Sequence, residues 1–303
     1  MNTRIAVIGE ALVDIVADGE AHVGGSPLNV AVGLGRLGLS SYLHTRIGRD
    51  HYGEMITRKL SDEGVTVPAG SIIDGRTSTA TVTLDSEGTA SYEFDLTWTL
   101  SELGAQIVPD ASVVHTGSIG AVLEPGGTVA RSIVGSAPPG VLRSYDPNAR
   151  PDIMGDADKA RTAIRTLASS CHVVKFSDED AEWIGGDTGA TPDEVLASIA
   201  ASGPRFTVMT RGAHGCTAIV DGETYEHPGR EVTVADTIGA GDAFMSGLLF
   251  ALVRDGSDRV LVEGKELSAD LVDSALDTAM SCATIAVSRS GAEPPHAIDL
   301  SRS

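Results

Sequence analysis

The chain has 303 residues and carries 22 Lys plus Arg against 42 Asp plus Glu, a formal balance of −20 at pH 7. That field repels a sheath of phosphates, and the basic residues are scattered. Both points argue against a general nucleic-acid binder, although small anions held by local backbone amides stay open. Hydrophobic residues at 42% and charged residues at 21% exclude a disordered or fibrous chain. No apolar run approaches the roughly 18 residues of a bilayer span, and the N-terminus opens on a strand-like stretch rather than a signal core. The expectation is a soluble cytoplasmic protein with no membrane attachment. Cys171, Cys216 and Cys282 are far apart, odd in number and in no metal-ligand spacing, so they read as small buried hydrophobes.

In chain order, Arg4 to Gly9 reads as a first strand, and Val13 to Val23 as material for a small sheet. Pro27 to Leu37 reads as a helix, with Ser26 as its N-cap, Pro27 at the first helical position and Gly38 as its stop. Tyr42 to Ile47 is strand-like. Thr77 to Leu84 and Thr89 to Phe94 form a predicted hairpin over the turn Asp85-Ser86-Glu87-Gly88. Buried strands follow at Val113 to Thr116, Val141 to Tyr145, His172 to Phe176 and Phe206 to Thr210, separated by helical stretches such as Asp156 to Ala168 and Thr191 to Ala201. Ala240 to Val253 and Leu271 to Val287 read as helices. The first is apolar on most faces and therefore central. The tail after Pro295 reads as loosely held. The alternation predicts a doubly wound, mostly parallel α/β sheet flanked by helices, taken as one domain over 1–303 with a small β lid from about 13–23 and 72–98.

The most informative segment is Ala235 to Leu248. Gly239-Ala240-Gly241-Asp242 opens the central helix, so first-turn amides and the helix dipole converge on one point that suits phosphate oxygens. Asp242 then places a carboxylate beside that point, where it can accept a proton from an attacking hydroxyl. The plainer alternative is that Asp242 caps the helix and the glycines permit close packing. Gly24-Gly25-Ser26-Pro27-Leu28-Asn29 leads into a helix carrying an amide that suits a polyol, or is an ordinary loop-to-helix junction. Gly33-Leu34-Gly35-Arg36-Leu37-Gly38 spells a dinucleotide fingerprint, but a helix precedes it and a strand follows. That is the reverse of the required order, so the glycines read as packing and stop positions. His22 reads as an exposed loop histidine, and Tyr92 and Phe94 as packing residues of the small sheet. Arg150 either neutralises phosphate charge or forms a surface ion pair.

Gly24 to Asn29, Gly48-Arg49-Asp50-His51-Tyr52-Gly53 and Asp236 to Asp242 resemble, in order and separation, the characteristic segments of the ribokinase-like (PfkB) carbohydrate kinases. Gly9 to Asp14, Asp146-Pro147-Asn148-Ala149-Arg150 and Lys175 to Asp180 resemble the fructokinase branch in particular. The resemblance implies that Asp242 is the catalytic base, with Gly239, Ala240 and Gly241 as the anion hole. It places Asp14, Gly25 and Asn29 at the sugar and Thr210, Gly212 and Gly215 along the ATP site; Arg150 is a further substrate-binding candidate and Ser177 a further cofactor-binding one. It assigns Asp236 and the Ile238 carbonyl to half of a monovalent-cation site, potassium in many members, with the other half from Ala286 to Pro295. Pro295 departs from relatives that carry a hydroxyl there. Magnesium is held through water in many members by an Asn-x-x-Glu pattern, which here reads Ser177 and Asp180, with a shorter acid.

The implied reaction is transfer of the γ-phosphoryl group of ATP to a primary hydroxyl of a small sugar, fructose first. Ribose and 2-keto-3-deoxygluconate, for whose acid group Arg76 and Arg150 are candidates, share the same motifs, as does a nucleoside. A catalytically silent sugar- or nucleotide-binding regulator is the reading from another class. A homodimer joined through the lid is the expected assembly.

Overall fold

The computed structural model describes residues 3–16, 19–84, 90–100 and 110–301, with the main chain alone at 82–84 and 90–92. The turn at 85–88 and the Tyr92 side chain lie outside the described residues.

The strands are β1 (Arg4–Ile8), β2 (Leu12–Ile15), β3 (Ala21–Gly24), β4 (Ser40–His44), β5 (Ile47–Gly48), β6 (Ile72–Ile73), β7 (Thr79–Leu84), β8 (Ala90–Asp95), β9 (Val113–Gly117), β10 (Leu142–Asp146), β11 (Val173–Ser177), β12 (Phe206–Thr210), β13 (Cys216–Val220) and β14 (Glu223–His227). The helices are α1 (Ser26–Arg36), α2 (His51–Asp62), α3 (Gly126–Gly135), α4 (Ala157–Ser170), α5 (Asp178–Gly185), α6 (Pro192–Ala200), α7 (Ala240–Arg254), α8 (Ser257–Val262), α9 (Ala269–Val287) and α10 (Ala297–Leu300). The main sheet runs β14-β13-β12-β11-β10-β9-β1-β4, parallel from β12 to β4, with the antiparallel hairpin β13–β14 closing one edge. Strands such as β1, β9 and β11 are buried on both faces because helices cover both, so their sequences are apolar runs rather than alternations. One core packs α1, α7, α8 and α9 on one face, and a second packs α3 to α6 on the other.

Chain order reverses between β9 and β1. The crevice at the carboxyl ends of these strands is where such sheets bind ligands. The small sheet, β3-β2-β7-β8, stands beside that crevice. One face carries Leu12, Ala80 and Phe94 toward the main body, and the other carries Ile15, Thr79 and Thr81. The Gly48-to-Gly53 motif is structural: Asp50 caps α2 through Gly53 N–H (2.8 Å) and also accepts from Thr77 N–H (2.8 Å) and the Thr77 hydroxyl (2.6 Å). It thereby anchors the segment that enters β7.

Three local expectations need correction. Ser26 is not the N-cap of α1; Gly25 takes that place at φ +112°, and Ser26 turns its hydroxyl elsewhere. The antiparallel β13–β14 edge was not anticipated. The tail after Pro295 is held: Arg289 pairs with Asp299 at 2.9 Å, and Asp299 also accepts from His296 N–H at 2.9 Å. As expected, the three cysteines are free and buried, and Gly38, at φ +91°, stops α1.

Candidate active site

Asp242 lies in the first turn of α7 and is buried. Its Oδ1 accepts from the Ser26 hydroxyl at 2.6 Å and its Oδ2 from Asn29 Nδ2 at 2.8 Å. Both donors sit in the first turn of α1, so the carboxylate faces the positive ends of two helices at once. Burial pushes the Asp242 carboxyl above the usual aspartate range, against the hydrogen bonds from Ser26 and Asn29 and the charges of Lys175 and Arg150. Asn29 keeps its Oδ1 buried with no partner among the described residues, an acceptor awaiting a donor.

Gly239 caps α7 at φ +74°, a conformation that a side chain would strain, and packs against Ala292. Ala240 and Gly241 follow in the first turn, whose amides have no helical carbonyl to bond. A Cβ built on Gly241 would lie 2.8 Å from Lys175 Nζ, so the turn lies beside a buried cation. At Gly25 a Cβ would meet the Glu10 carbonyl oxygen at 2.8 Å, so only glycine lets the chain re-enter from the small sheet at this crossing.

Asp14 lies on β2 opposite His22 and is half-buried; burial raises its pKa, against the charges of His22 and Arg150. His22 is exposed and faces Glu20 at 3.7 Å. Arg150 donates to Asn148 Oδ1 (2.8 Å) and to the Ala149 carbonyl (2.8 Å), and its charge reaches Asp242, Asp14 and Glu10. Arg76 is not with them: it lines a separate cavity of about 490 Å³ with Ile15, Thr79 and Thr81, beside Asp95.

At the start of α5, Asp180 is buried, its Oδ1 accepting from Ala149 N–H (2.7 Å) and its Oδ2 from Ser177 N–H (2.9 Å), while the Ser177 hydroxyl accepts from Asp180 N–H (3.0 Å). With each oxygen engaged, Asp180 fits a metal through intervening water rather than direct ligation. No cluster of three acidic, His or Cys ligands occurs among the described residues. Asp236 is similarly committed, accepting from Ile238 N–H (3.0 Å) and Gly291 N–H (2.9 Å), and these two bonds hold its carboxyl below the usual range. It joins the loop before α7 to the stretch after α9. Ile238 itself is exposed. Thr210 ends β12; Gly212 (φ +51°) and Gly215 (φ +93°) bound the turn into β13.

Sequence reasoning left several participants unassigned. Ser26, expected as a cap, donates its hydroxyl to Asp242 instead. Glu10, buried, accepts from Gly120 N–H at 2.8 Å, and burial pushes its carboxyl up to about 7. Lys175 and Asp146 form a buried ion pair at 3.0 Å beside the glycine turn. A lysine inside the apolar strand Val173–Ser177 was itself a signal, because a buried cation requires a partner.

The family model described as "pfkB family carbohydrate kinase" matches residues 2–298. The chain is 33% identical to a fructokinase of Klebsiella pneumoniae, each covered over 100% of its length. It is 31% identical to the fructokinase of Escherichia coli, over 96% of this chain and 95% of that one. Among solved structures, fructokinase of Xylella fastidiosa with bound ATP superposes with a TM-score of 0.86 at 23% identity, covering 99% of this chain and 98% of that one. Fructokinase of Vibrio cholerae with fructose, ADP and calcium ion does so with a TM-score of 0.80 at 27% identity, covering 99% and 98%. A glycine-opened helix with a buried aspartate at the crevice of a mostly parallel sheet, together with a family match over nearly the whole chain, leads to one conclusion: this chain belongs to the PfkB family of carbohydrate kinases and is a sugar kinase of the ribokinase-like fold.

Proposed function

We propose that the protein phosphorylates fructose at its 6-hydroxyl with ATP. The observation that carries this reading is the placement of Asp242: buried at the meeting of two helix N-termini, beside an unpartnered Asn29 acceptor, in a chain that full-length fructokinases match at 31–33% identity. Asp242 accepts the proton of the attacking hydroxyl. Asn29 Oδ1 takes a sugar hydroxyl as donor, and Asp14 takes another across the cleft. The turn Gly239-Ala240-Gly241 offers backbone amides to the transferring phosphoryl group, and Arg150 adds positive charge. The Thr210-to-Gly215 turn and Ser177 line the nucleotide side.

Magnesium, when bound with ATP, neutralises phosphate charge; Asp180 fits as an acceptor for its water shell. In our reading Asp236 and the Ile238 carbonyl, with the stretch after α9, form a potassium site that steadies the glycine turn. The small sheet acts as a lid hinged at Gly24-Gly25 that excludes water during transfer. Among the described residues its edge strands β3 and β8 have no further partner in the sheet, and a second copy covering them makes the protein a homodimer. Use of ATP together with unpaired cysteines favours the cytoplasm; among the described residues no helix is long and apolar enough to cross a membrane.

The test is ADP release from ATP and magnesium with fructose, ribose, 2-keto-3-deoxygluconate and adenosine, with and without potassium. Turnover led by fructose is expected, rising with potassium. Preference for another sugar replaces the substrate, and no turnover in a folded sample that binds ATP favours the silent regulator.

A further inference from the structure

Lys175 and Asp146 sit on adjacent parallel strands and are almost fully enclosed, with side-chain exposures of 4% and 1%. Removing two charges from water costs several kcal/mol per ion, so a pair this deep is poorly explained as a stabilising contact. Its surroundings are informative. Lys175 Nζ lies beside the first turn of α7, where a Cβ built on Gly241 would come within 2.8 Å of it. A cation beside a helix N-terminus is unfavourable for the helix itself, and it becomes useful when an anion is to be received there. Asp146 holds the ammonium with Oδ2 alone; Oδ1 is buried and unpartnered among the described residues.

Resting on the sugar-kinase reading, we infer that Asp146 and Lys175 are positioning residues for phosphoryl transfer: Asp146 fixes the Lys175 ammonium beside Gly241, where it braces the glycine turn and favours the charged form of Asp242. The charged groups facing Asp242 are Lys175 from β11, Asp146 from β10 and Arg150 from the loop after β10. From α1 it meets only the uncharged Ser26 and Asn29, and Asp180 acts on it through the pair. Lys175 favours the carboxylate and Asp146 opposes it, so removing each one moves the Asp242 proton equilibrium in opposite directions. Burial already acts against the charge on Lys175, and Asp146, Asp180 and Asp242 outweigh it to hold the ammonium.

The experiment compares the parent with Lys175→Met and Asp146→Asn, reading kcat, sugar KM and the acid limb of kcat/KM against pH. In Lys175→Met, kcat is expected to fall about tenfold or more, sugar KM to stay within about threefold, and the acid limb to move up by roughly one unit. In Asp146→Asn the acid limb is expected to move down. A pair that only supports the fold would not lower kcat in a folded variant whose sugar KM is unchanged. If Lys175→Met does not fold, the double variant K175M/D146N, which leaves no unpaired charge, takes its place, with the same drop in kcat expected. Folded variants with parental kcat and parental acid limbs overturn the inference. A parent with no sugar-dependent ADP release overturns the kinase reading itself, a result separable from the behaviour of the variants.

Discussion

Asp242 is tied to α1 by two bonds, from Ser26 and Asn29, and its function rests on a charge that burial opposes. Asp242→Asn keeps the shape and one acceptor but cannot take a proton. Turnover should fall roughly 10²–10⁴-fold while isothermal titration still shows sugar and nucleotide binding. A retained kcat would remove Asp242 from the chemistry. Glu10 gives a different signature. Its carboxyl is raised by burial from 4.5 to about 7, so the folded state holds a proton that the unfolded chain has already released in that range. Stability from this group is therefore present at low pH and declines as pH rises from about 4.5 to about 7, by on the order of 3 kcal/mol. Glu10→Gln, which can still accept from Gly120 N–H, should flatten the fall in Tm across that window; an unchanged slope would assign it to another group.

At the level of elements, α7 owes its central place to small residues that admit its neighbours. A Cβ on Gly247 would lie 2.7 Å from Cys282 Sγ and 3.0 Å from the Ala279 main chain. Gly247→Ala should force α7 from α9 at a cost of about 1–3 kcal/mol, seen as a lower Tm together with lower kcat, because Asp242 rides on the same helix. Unaltered Tm would show that α9 can yield. Periodicity made α7 and the parallel strands legible because burial on all sides leaves an apolar run. It also made the α1 stop legible, because Gly38 requires a positive φ. Ser26 was misplaced because a serine before a proline fits a cap equally well, and only Asp242, 216 residues away, diverts its hydroxyl. The burial of Asp180 left no trace in the sequence for a similar reason: its partner, Ala149 N–H, comes from a distant loop. The β13–β14 edge escaped because β14 is largely exposed and alternates polar residues, leaving no apolar run to read.

Across the whole molecule, the small sheet presents its outer face, with Ile15, Thr79, Thr81 and Arg76, away from the crevice. If a second copy covers the sheet edges, sedimentation at micromolar concentration should give twice the 31.2 kDa chain mass. A single species at the chain mass would leave each lid to work alone. The order of the site in space is not its order in the chain. β1 lies inside the sheet between β4 and β9, α1 presents its donors to a residue 213 and 216 positions later, and Arg36 reaches Glu293 and the Pro294 carbonyl. Biosynthesis inherits this arrangement. A nascent chain emerging at about 5–20 residues per second holds α1 without its cover until α7, α9 and the Glu293–Pro294 stretch have left the ribosome. Catalytic competence then arrives only after α7 and α9 have emerged, and any fragment released earlier carries an uncovered apolar helix that chaperones and proteases can recognise.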